Sequence, residues 1–332
     1  MELTVFESPG AEWDEFASRY TDLIFYQSAW SEVLRKGLGG QPLYFCLKEG
    51  GKIVAGLPGI LLNFRIFKVL YASIPYGNMI GEKSYFEPFA ELLDRDFPGM
   101  GIHQVRITDS PFLDPFLHRH FRPETAKCTL LDLAGIDRAR AWDGYKKYIR
   151  RDIRKGQRSG VTIRTGVSES SVKVFYGLYL ASMQRNRAMA KYPFRWFEAL
   201  YEEMAKRGSC DFLIAERDGT PIAGVVLIHS ATTLHYFHNG SRPEFLKFCP
   251  NELLVHFSLE KAIEQGDSFF DFMGSDRKDL SLIKFKEKWG GHSIDLNTYV
   301  KDYHALRSRI WGWGKALGSS RIGKGLLRIV WH

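Results

Sequence analysis

Four basic side chains follow one face of a short predicted helix near the middle of the chain. The segment YKKYIRRDIRKGQRSGVTIRTG spans residues 145–166, and four of its residues fall at i, i+4, i+7 and i+11, namely Lys147, Arg151, Arg154 and Arg158. Guanidinium groups in such a row suit bidentate contacts with phosphate oxygens. Because the segment holds only one acid, a phosphate-binding helix and an ordinary solvated helix face both fit the pattern.

A second segment with candidate chemistry, FFDFMGSDRKDLSLIKFKEKWGG, spans residues 269–291. Its pattern predicts a buried strand that ends near Asp271, followed by a glycine turn. A short helix that carries Phe285, Lys286 and Trp289 comes next and stops at a Gly-Gly pair.

Charge is divided unevenly along the chain. Residues 1–140 hold 15 Lys and Arg against 18 Asp and Glu, whereas residues 141–332 hold 31 against 20. The excess of basic residues in the second half creates a positive field that attracts phosphates, nucleic acid or anionic lipid. We therefore expect an anionic partner for the second half, of a class that charge alone does not define.

Length and composition indicate a globular protein of about two domains, since 45% of its 332 residues are apolar. No apolar run approaches the roughly 20 residues of a spanning helix, and the first residues lack a signal-peptide pattern. The four cysteines are scattered, and neither C-x-x-C nor H-E-x-x-H occurs. We expect a cytoplasmic protein without a disulfide framework or a metal site.

Two stretches of sequence, 168 positions apart, share one pattern. YFCLKEGGKIVAG (44–56) and FLIAERDGTPIAG (212–224) each predict a β-hairpin with a glycine-containing turn. Each second strand contains Ala-Gly, which marks a place without room for a side chain. Since predicted helices precede and follow both copies, the sequence indicates a duplicated α/β domain of the α+β type, each copy a mixed, mainly antiparallel sheet flanked by helices.

The repeated hairpin resembles the central hairpin of the GNAT acyltransferase fold. Neither half contains the Q/R-x-x-G-x-G/A loop that cradles the coenzyme A pyrophosphate in ordinary members of that fold. The predicted organisation is a GNAT-like domain over residues 1–140, a second over 141–300 that begins with the basic helix, and a basic amphipathic tail over 301–332.

Together with the hairpins, three further motifs resemble the FemAB family: the R-x-x-I-R-K-x-x-x-x-G-V helix, the F-D-F-x-G strand end and F-K-x-x-W-G. Members of this family are peptidyltransferases with tandem GNAT-like domains that move an amino acid from aminoacyl-tRNA onto the stem peptide of a peptidoglycan precursor. The resemblance covers nearly the whole chain. It implies a monomeric aminoacyltransferase of cell-wall biogenesis that needs no cofactor and no metal, with UDP-muramyl-peptide, lipid II or a related envelope precursor as acceptor.

The resemblance also implies catalytic roles. Phe285 and Lys286 match the family's Phe-Lys pair, which lies where the aminoacyl end of the tRNA meets the acceptor amine. A fixed ammonium there would stabilise the negative charge that develops when an amine attacks an ester. Asp271 is a candidate proton acceptor, with Asp276, the substrate or water as alternatives.

Roles in substrate binding follow in the same way. Arg185, with Arg187 as its alternative, and Tyr236 match the family's acceptor-recognition residues. A strand tyrosine is also commonly a plain core residue, so that interpretation of Tyr236 stays open. Arg151 and Arg154 are the predicted phosphate ligands.

Two departures from the family pattern concern the acceptor. Typical members read Trp-x-x-Val-Lys in the first domain, where this chain reads WSEVLRK, with Leu34 in the lysine's place and Lys36 nearby as the predicted sugar-nucleotide contact. Typical members read Pro-Arg-Gly-Pro where this chain reads PYGN (75–78). An acceptor other than the standard muramyl peptide, as in the branch associated with exopolysaccharide and protein-sorting genes, therefore stays open.

The last segment, residues 301–332, mixes seven Lys and Arg with tryptophan and aliphatic residues at helical spacing. Such a segment is typical of helices that lie on an anionic membrane surface, here the inner face of the cytoplasmic membrane. A terminal helix packed on the core is the alternative.

Two rival functions remain at this point. One is an N-acyltransferase that uses acyl-CoA or acyl carrier protein. The other is a noncatalytic RNA-binding or scaffold protein, whose binding would depend steeply on salt and would survive the loss of Lys286.

Overall fold

The computed structural model describes residues 1–8, 10–64, 67–115 and 120–309. These residues form two compact units. The first comprises Met1–Thr21, Phe25–Thr125 and the residues from Asn297 onward, and the second comprises Asp22–Ile24 and Ala126–Leu296.

The first unit is a mixed sheet flanked by helices. Its strands are β1 (Glu2–Phe6), β2 (Gln41–Glu49), β3 (Lys52–Phe64), β4 (Phe67–Tyr71), β5 (Ile80–Gly81) and β6 (Gln104–Thr108). Its helices are α1 (Ala11–Ser18), α2 (Ser28–Leu38) and α3 (Phe86–Asp96). The strand order is β1-β2-β3-β4-β6; β4 and β6 are parallel and the other neighbours are antiparallel.

The second unit repeats this architecture. Its strands are β7 (Arg122–Asp132), β8 (Val161–Arg164), β9 (Cys210–Arg217), β10 (Thr220–His229), β11 (Thr233–Ser241), β12 (Phe269–Ser275) and β13 (His292–Asp302), of which β7 begins and β13 ends in the first unit. Its helices are α4 (Arg138–Gly144), α5 (Lys147–Arg158), α6 (Glu169–Arg185), α7 (Phe194–Glu203), α8 (Pro250–Gln265) and α9 (Leu280–Glu287). The order β7-β12-β11-β10-β9-β8 contains one parallel pair, β11 with β12.

The hairpins β2–β3 and β9–β10 are equivalent in register. Cys46 pairs with Gly56 in the first, Ile214 pairs with Gly224 in the second, and both ladders shift register close to the turn. In both units the strand after the hairpin then pairs in parallel with a later strand. The predicted fold class, two copies of a mainly antiparallel mixed sheet flanked by helices, is confirmed.

The glycine of each Ala-Gly pair lies under a helix. A β-carbon added to Gly56 would lie 2.6 Å from the ring of Trp13 on α1, and one added to Gly224 would lie 3.1 Å from the ring of Phe175 on α6. Both aromatic side chains are fully buried. The absence of a side chain therefore lets a helix pack directly on the hairpin, as the sequence indicated.

The units differ from the predicted domains at three places. Residues 22–24 belong to the second unit. Residues 126–140 belong to the second unit because β7 pairs with β12 there. Residues 297–302 belong to the first unit because β13 pairs with β6, with Val300 opposite Arg106. The predicted amphipathic tail lies outside the described residues from 310 onward. In the described part of the chain, no helix has both the length and the apolar composition needed to cross a membrane.

Candidate active site

Strand β12 carries a bulge at the centre of the candidate site. Between two of its paired positions, Asp271 and Gly274, β12 holds one residue more than its partner β7. Met273 lies in this bulge with a φ of 64°, a left-handed conformation that is uncommon outside glycine. The predicted end of the strand near Asp271 is therefore too early, because the bulge lets the strand continue to Ser275.

The side chain of Lys286 reaches the bulge from α9. Its Nζ donates to the carbonyl oxygens of Met273 at 2.9 Å and Gly274 at 3.2 Å, and to the hydroxyl of Ser275 at 2.7 Å. Lys286 is only 6% exposed. An ammonium has three donors, so it can satisfy three acceptors that the irregular strand presents.

Burial lowers the pKa of the Lys286 ammonium to about 8, and the neighbouring Cys128, Asp271 and Asp279 act in the opposite direction. The cation is therefore the main form at neutral pH, and its deprotonation lies at mildly alkaline pH. A fixed ammonium with a pKa close to the operating pH can stabilise an oxyanion or transfer a proton.

Asp271 is fully buried and is hydrogen-bonded within the protein. Its carboxylate accepts from the N–H of Met273 at 2.7 Å and from the thiol of Cys128 at 3.3 Å. Its other oxygen lies 2.9 Å from Nδ1 of His235. A side chain enclosed in this way cannot reach an incoming amine, so the predicted role of Asp271 as proton acceptor does not fit the structure.

Phe285 is half-buried against the apolar core of the second unit. The Nζ of Lys288 lies 4.4 Å from the centroid of its ring and 2.9 Å from a carboxylate oxygen of Glu252. The adjacent Phe285 and Lys286 thus have different surroundings, the core and the strand bulge. This α9 helix holds both residues of the predicted Phe-Lys pair in place.

Tyr236 packs from β11 against Phe270 and Phe272, with ring centroids 6.1 and 6.0 Å away. The residue is 6% exposed, and its hydroxyl has no hydrogen-bond partner among the described residues. Burial and, secondarily, the carboxylate of Glu252 raise the pKa of Tyr236. Buried hydroxyls usually have a partner, so this phenol is an exception, and the structure places Tyr236 in the core of the second unit.

Arg185 and Arg242 line the same surface depression of the second unit, which has a volume of about 450 Å³. The Nη1 of Arg185 donates to the hydroxyl of Ser241 at 3.0 Å. Two guanidinium groups in one depression can hold a carboxylate or a phosphate, and the carboxylate of Glu244 lies in the same wall. Sequence reasoning found Arg185 and missed Arg242.

The end of β11 is clamped onto α6, and this clamp sets the two arginines in one depression. The hydroxyl of Ser182 donates to the carbonyl of Ser241 at 3.2 Å and accepts from its N–H at 2.8 Å. A β-carbon at Gly240 would lie 2.5 Å from backbone atoms of Leu178 and Tyr179. The Asn-Gly-Ser-Arg sequence at the end of β11 is the signal that could have indicated this close approach and the arginine beside it.

Helix α5 presents its basic side chains on the exposed side. Ile149 and Ile153 are fully buried on the opposite side. Arg151 pairs with its neighbour Asp152 at 2.9 Å, and the guanidinium of Arg154 lies 5.3 Å from the ring centroid of Trp142. Both arginines keep an exposed surface, so the helix has the polarity that the sequence predicted.

Lys36 belongs to the first unit, whereas the other predicted site residues belong to the second. It lies on the exposed side of α2. Leu34, which replaces the lysine of typical family members, is 1% exposed and forms part of the core. Arg35 pairs with Glu32 at 2.7 Å.

The PYGN segment forms part of a buried polar network in the first unit. The Nδ2 of Asn78 donates to Asp109 at 2.7 Å, and its backbone N–H donates to the hydroxyl of Tyr26 at 2.8 Å. Burial raises the pKa of Asp109 to about 6. Tyr76, at the position of the family's arginine, is fully buried. This departure from the family pattern replaces a basic side chain with a packed core residue.

Several known proteins are similar to this chain. Residues 144–287 match the acetyltransferase (GNAT) domain model. The structure of FemX is similar, with a TM-score of 0.71 and 14% identity over 93% of this chain and 99% of FemX. A tandem GNAT protein from the clavulanic acid biosynthesis pathway gives a TM-score of 0.58 and 12% identity over 91% of this chain and 98% of its own. The C-terminal domain of a putative lysylphosphatidylglycerol synthetase from Agrobacterium fabrum gives a TM-score of 0.59 and 15% identity over 90% of this chain and 95% of its own. No curated protein matches the sequence.

These comparisons define the class of protein as a tandem GNAT-type fold, and the matched domain together with the site supports an acyltransferase. Over 93% of the chain the fold is similar to that of FemX, which confirms the FemAB-like tandem GNAT fold that the resemblance implied. At these identities the likeness to solved structures establishes the fold, and substrates have to be argued from the site.

Proposed function

We propose that the protein is an aminoacyltransferase that moves an amino acid from aminoacyl-tRNA to an amine of a cell-envelope precursor. The observation that carries the proposal is the ammonium of Lys286, which is buried and fixed on the bulge of β12 within a GNAT-fold unit. The likeness of the fold to FemX supports this assignment.

The reaction joins the acceptor nitrogen to the carbonyl carbon of the aminoacyl ester. The bond between that carbon and the ribose oxygen breaks, and the proton lost by the amine ends on the ribose hydroxyl. Negative charge develops first on the carbonyl oxygen and then on the ribose oxygen, where a nearby cation is stabilising. The longest of the three hydrogen bonds of the Lys286 ammonium joins it to the carbonyl oxygen of the exposed Gly274 at 3.2 Å. A substrate oxygen that arrives from solvent would replace this carbonyl oxygen.

The anionic groups of the substrates have candidate ligands on the second unit. We assign Arg151 and Arg154 to phosphates of the tRNA, because α5 presents them on an exposed basic side. We assign Arg185 and Arg242 to a carboxylate or phosphate of the acceptor. Tyr236, whose hydroxyl is buried in the core, is left out of this assignment. Lys36 on the first unit stays the predicted sugar-nucleotide contact.

The segment that enters α8 argues against an ordinary coenzyme A donor. In the GNAT fold a glycine-rich loop offers backbone N–H groups to the pyrophosphate at a helix amino terminus. Here no glycine lies between Ser241 and Asn251, and the first residue of α8 is Pro250, which has no N–H. This helix end therefore presents fewer donors to an anion.

An N-acyltransferase that uses acyl-CoA or acyl carrier protein is the second candidate. The match of residues 144–287 to the acetyltransferase domain favours it. It differs from the first candidate in the donor, while both use an amine as acceptor. A donor assay therefore separates the two.

The proposal is tested by incubating the protein with radiolabelled aminoacyl-tRNA pools and total envelope precursors, beside Lys286→Ala. Lys284→Ala serves as the matched control, because Lys284 is an exposed lysine on the same helix. Label that passes to an acceptor with wild type and Lys284→Ala, and not with Lys286→Ala, supports the proposal. Transfer from acyl-CoA alone would replace it with the second candidate. RNA binding without any transfer would favour the noncatalytic alternative.

A cytoplasmic location and contact with the inner face of the membrane stay predictions. The segment on which membrane contact depends lies outside the described residues.

A further inference from the structure

Three side chains of the second unit, those of Ser230, His235 and Asp271, form a buried hydrogen-bonded series next to the β12 bulge. The hydroxyl of Ser230 lies 2.9 Å from Nε2 of His235, and Nδ1 of His235 lies 2.9 Å from a carboxylate oxygen of Asp271. His235 and Asp271 are fully buried, and Ser230 is 9% exposed. No motif in the sequence indicated this series, because its outer members, Ser230 and Asp271, are 41 positions apart.

The order of contacts is that of a Ser-His-Asp catalytic triad, but the surroundings differ. A triad serine must reach a substrate carbonyl. Here the hydroxyl of Ser230 accepts from the backbone N–H of Ile24 at 3.2 Å and has little exposed surface. Ser230 is therefore not the accessible nucleophile that hydrolysis would need.

Beyond Asp271 the series of hydrogen bonds continues to the bulge. The carboxylate of Asp271 accepts from the N–H of Met273 at 2.7 Å, and the carbonyl of Met273 accepts from Nζ of Lys286 at 2.9 Å. Met273 has the left-handed conformation, which costs free energy in a residue other than glycine unless neighbours hold it. The contact to Asp271 is such a support.

We infer that Asp271, held by His235 and Ser230, is a positioning residue for Lys286. It fixes the backbone of Met273, which in turn fixes one of the carbonyl groups that hold the ammonium. The catalytic consequence rests on the proposed function, whereas the effect on Lys286 itself can be measured without any substrate.

Charge supports the same inference. Three groups near Lys286 favour its protonated form, namely Cys128, Asp271 and Asp279, and they counteract the larger effect of burial. Asp271 is the fully buried carboxylate of this set. Neutralising it should therefore move the titration of Lys286 to lower pH, an effect that a purely structural role of Asp271 would not produce.

The test is a ¹³C NMR titration of full-length protein labelled with [ε-¹³C]lysine. The Lys286 signal is identified by its loss in Lys286→Arg, and wild type should titrate at about pH 8. We expect Asp271→Asn to lower this midpoint by roughly one pH unit. Asp218→Asn, which alters an exposed carboxylate in the β9–β10 turn, should leave it in place. An unchanged midpoint in folded Asp271→Asn would overturn the inference.

A second measurement covers the case in which Asp271→Asn does not fold. Hydrogen exchange of the Met273 amide should become about tenfold faster in His235→Leu, which removes the donor to Asp271. His235→Asn, whose side-chain amide can still donate, should retain most of the protection. Equal exchange in the two variants, or covalent labelling of Ser230 by a fluorophosphonate probe, would contradict the inference. Neither measurement uses a transfer assay, so failure of the proposed function is recognised separately.

Discussion

The Nζ of Lys286 lies 2.9 Å from the carbonyl oxygen of Met273, the residue at which β12 adopts a left-handed conformation. The two features depend on each other. The bulge turns backbone carbonyls away from regular pairing, and the buried ammonium satisfies them. A lysine at this place is therefore both part of the strand structure and a candidate catalytic group.

The first prediction concerns the pH dependence of transfer. If the ammonium form of Lys286 is required, activity should fall as pH rises through about 8, where burial has placed its pKa. Lys286→Arg should keep a lower activity whose alkaline limb is absent in this range, because arginine stays protonated. Rates measured from pH 6 to 10 test this, and an identical alkaline limb in both proteins would exclude Lys286 as its source.

The second prediction concerns stability over an overlapping range of pH. The pKa of Lys286 is lower in the folded protein than the ordinary value of 10.5. Between about pH 8 and that value the unfolded chain binds more protons, so this lysine makes the free energy of unfolding increase with pH. In denaturant unfolding, the free energy of unfolding of wild type minus that of Lys286→Met should therefore increase over this range, because the raised thiol pKa values of Cys46 and Cys210 affect both proteins alike. Parallel curves would mean that Lys286 titrates normally.

The third prediction tests the clamp between β11 and α6. Gly240→Ala should destabilise the protein by roughly 3 kcal/mol, because its β-carbon would meet the backbone of Leu178 and Tyr179. Gly177→Ala is the control: Gly177 is an exposed residue within α6 and has open space around its missing β-carbon. That change should stabilise by about 0.5–1 kcal/mol. Chemical denaturation measures both, and similar effects of the two substitutions would argue against the clamp.

The fourth prediction tests the depression that Arg185 and Arg242 share. Arg242→Gln should raise the KM for the acceptor about tenfold, with little change in kcat, because a charge-assisted hydrogen bond to a bound anion is lost. Lys173→Gln removes an exposed charge from α6 outside this depression and should have no such effect. An unchanged KM in Arg242→Gln would remove this residue from the acceptor site.

The fifth prediction concerns α5. The double change Arg151→Glu and Arg154→Glu should weaken binding of tRNA or of a sugar nucleotide, and should reduce the dependence of tRNA binding on salt. Lys52→Glu with Lys173→Glu makes the same change in net charge at exposed residues elsewhere. Affinities from filter binding at several salt concentrations would decide, and equal losses in both double variants would point to net charge alone.

The sequence predicted most of the fold because the relevant patterns are local. The hairpins of residues 44–56 and 212–224 appear in their glycine turns and alternating residues, and the structure pairs them in the same register. Helix α5 follows from the spacing of its isoleucines and arginines. In all three cases a few consecutive residues determine the backbone and the side that is buried.

Much of the candidate site depends on contacts between distant residues, which no local pattern reports. The bulge at Met273 was not predicted, because methionine gives no sign of a left-handed conformation. The contact of His235 with Asp271 joins two strands that are adjacent only in the sheet. Asp271 looked like an accessible acid for the same reason, since its burial depends on neighbours that lie far away in the sequence.

The extra residue in β12 also makes the length of this segment matter, apart from its composition. Removing one residue between Asp271 and Gly274 would restore regular pairing with β7, with Ser275 still opposite Lys127. Lys286 would then lose the irregular carbonyls that hold it, although the side chain of Ser275 would still be encoded. A single-codon deletion here should therefore disrupt the site more than most substitutions, and alignments of relatives that close such a gap would misplace the lysine's partners.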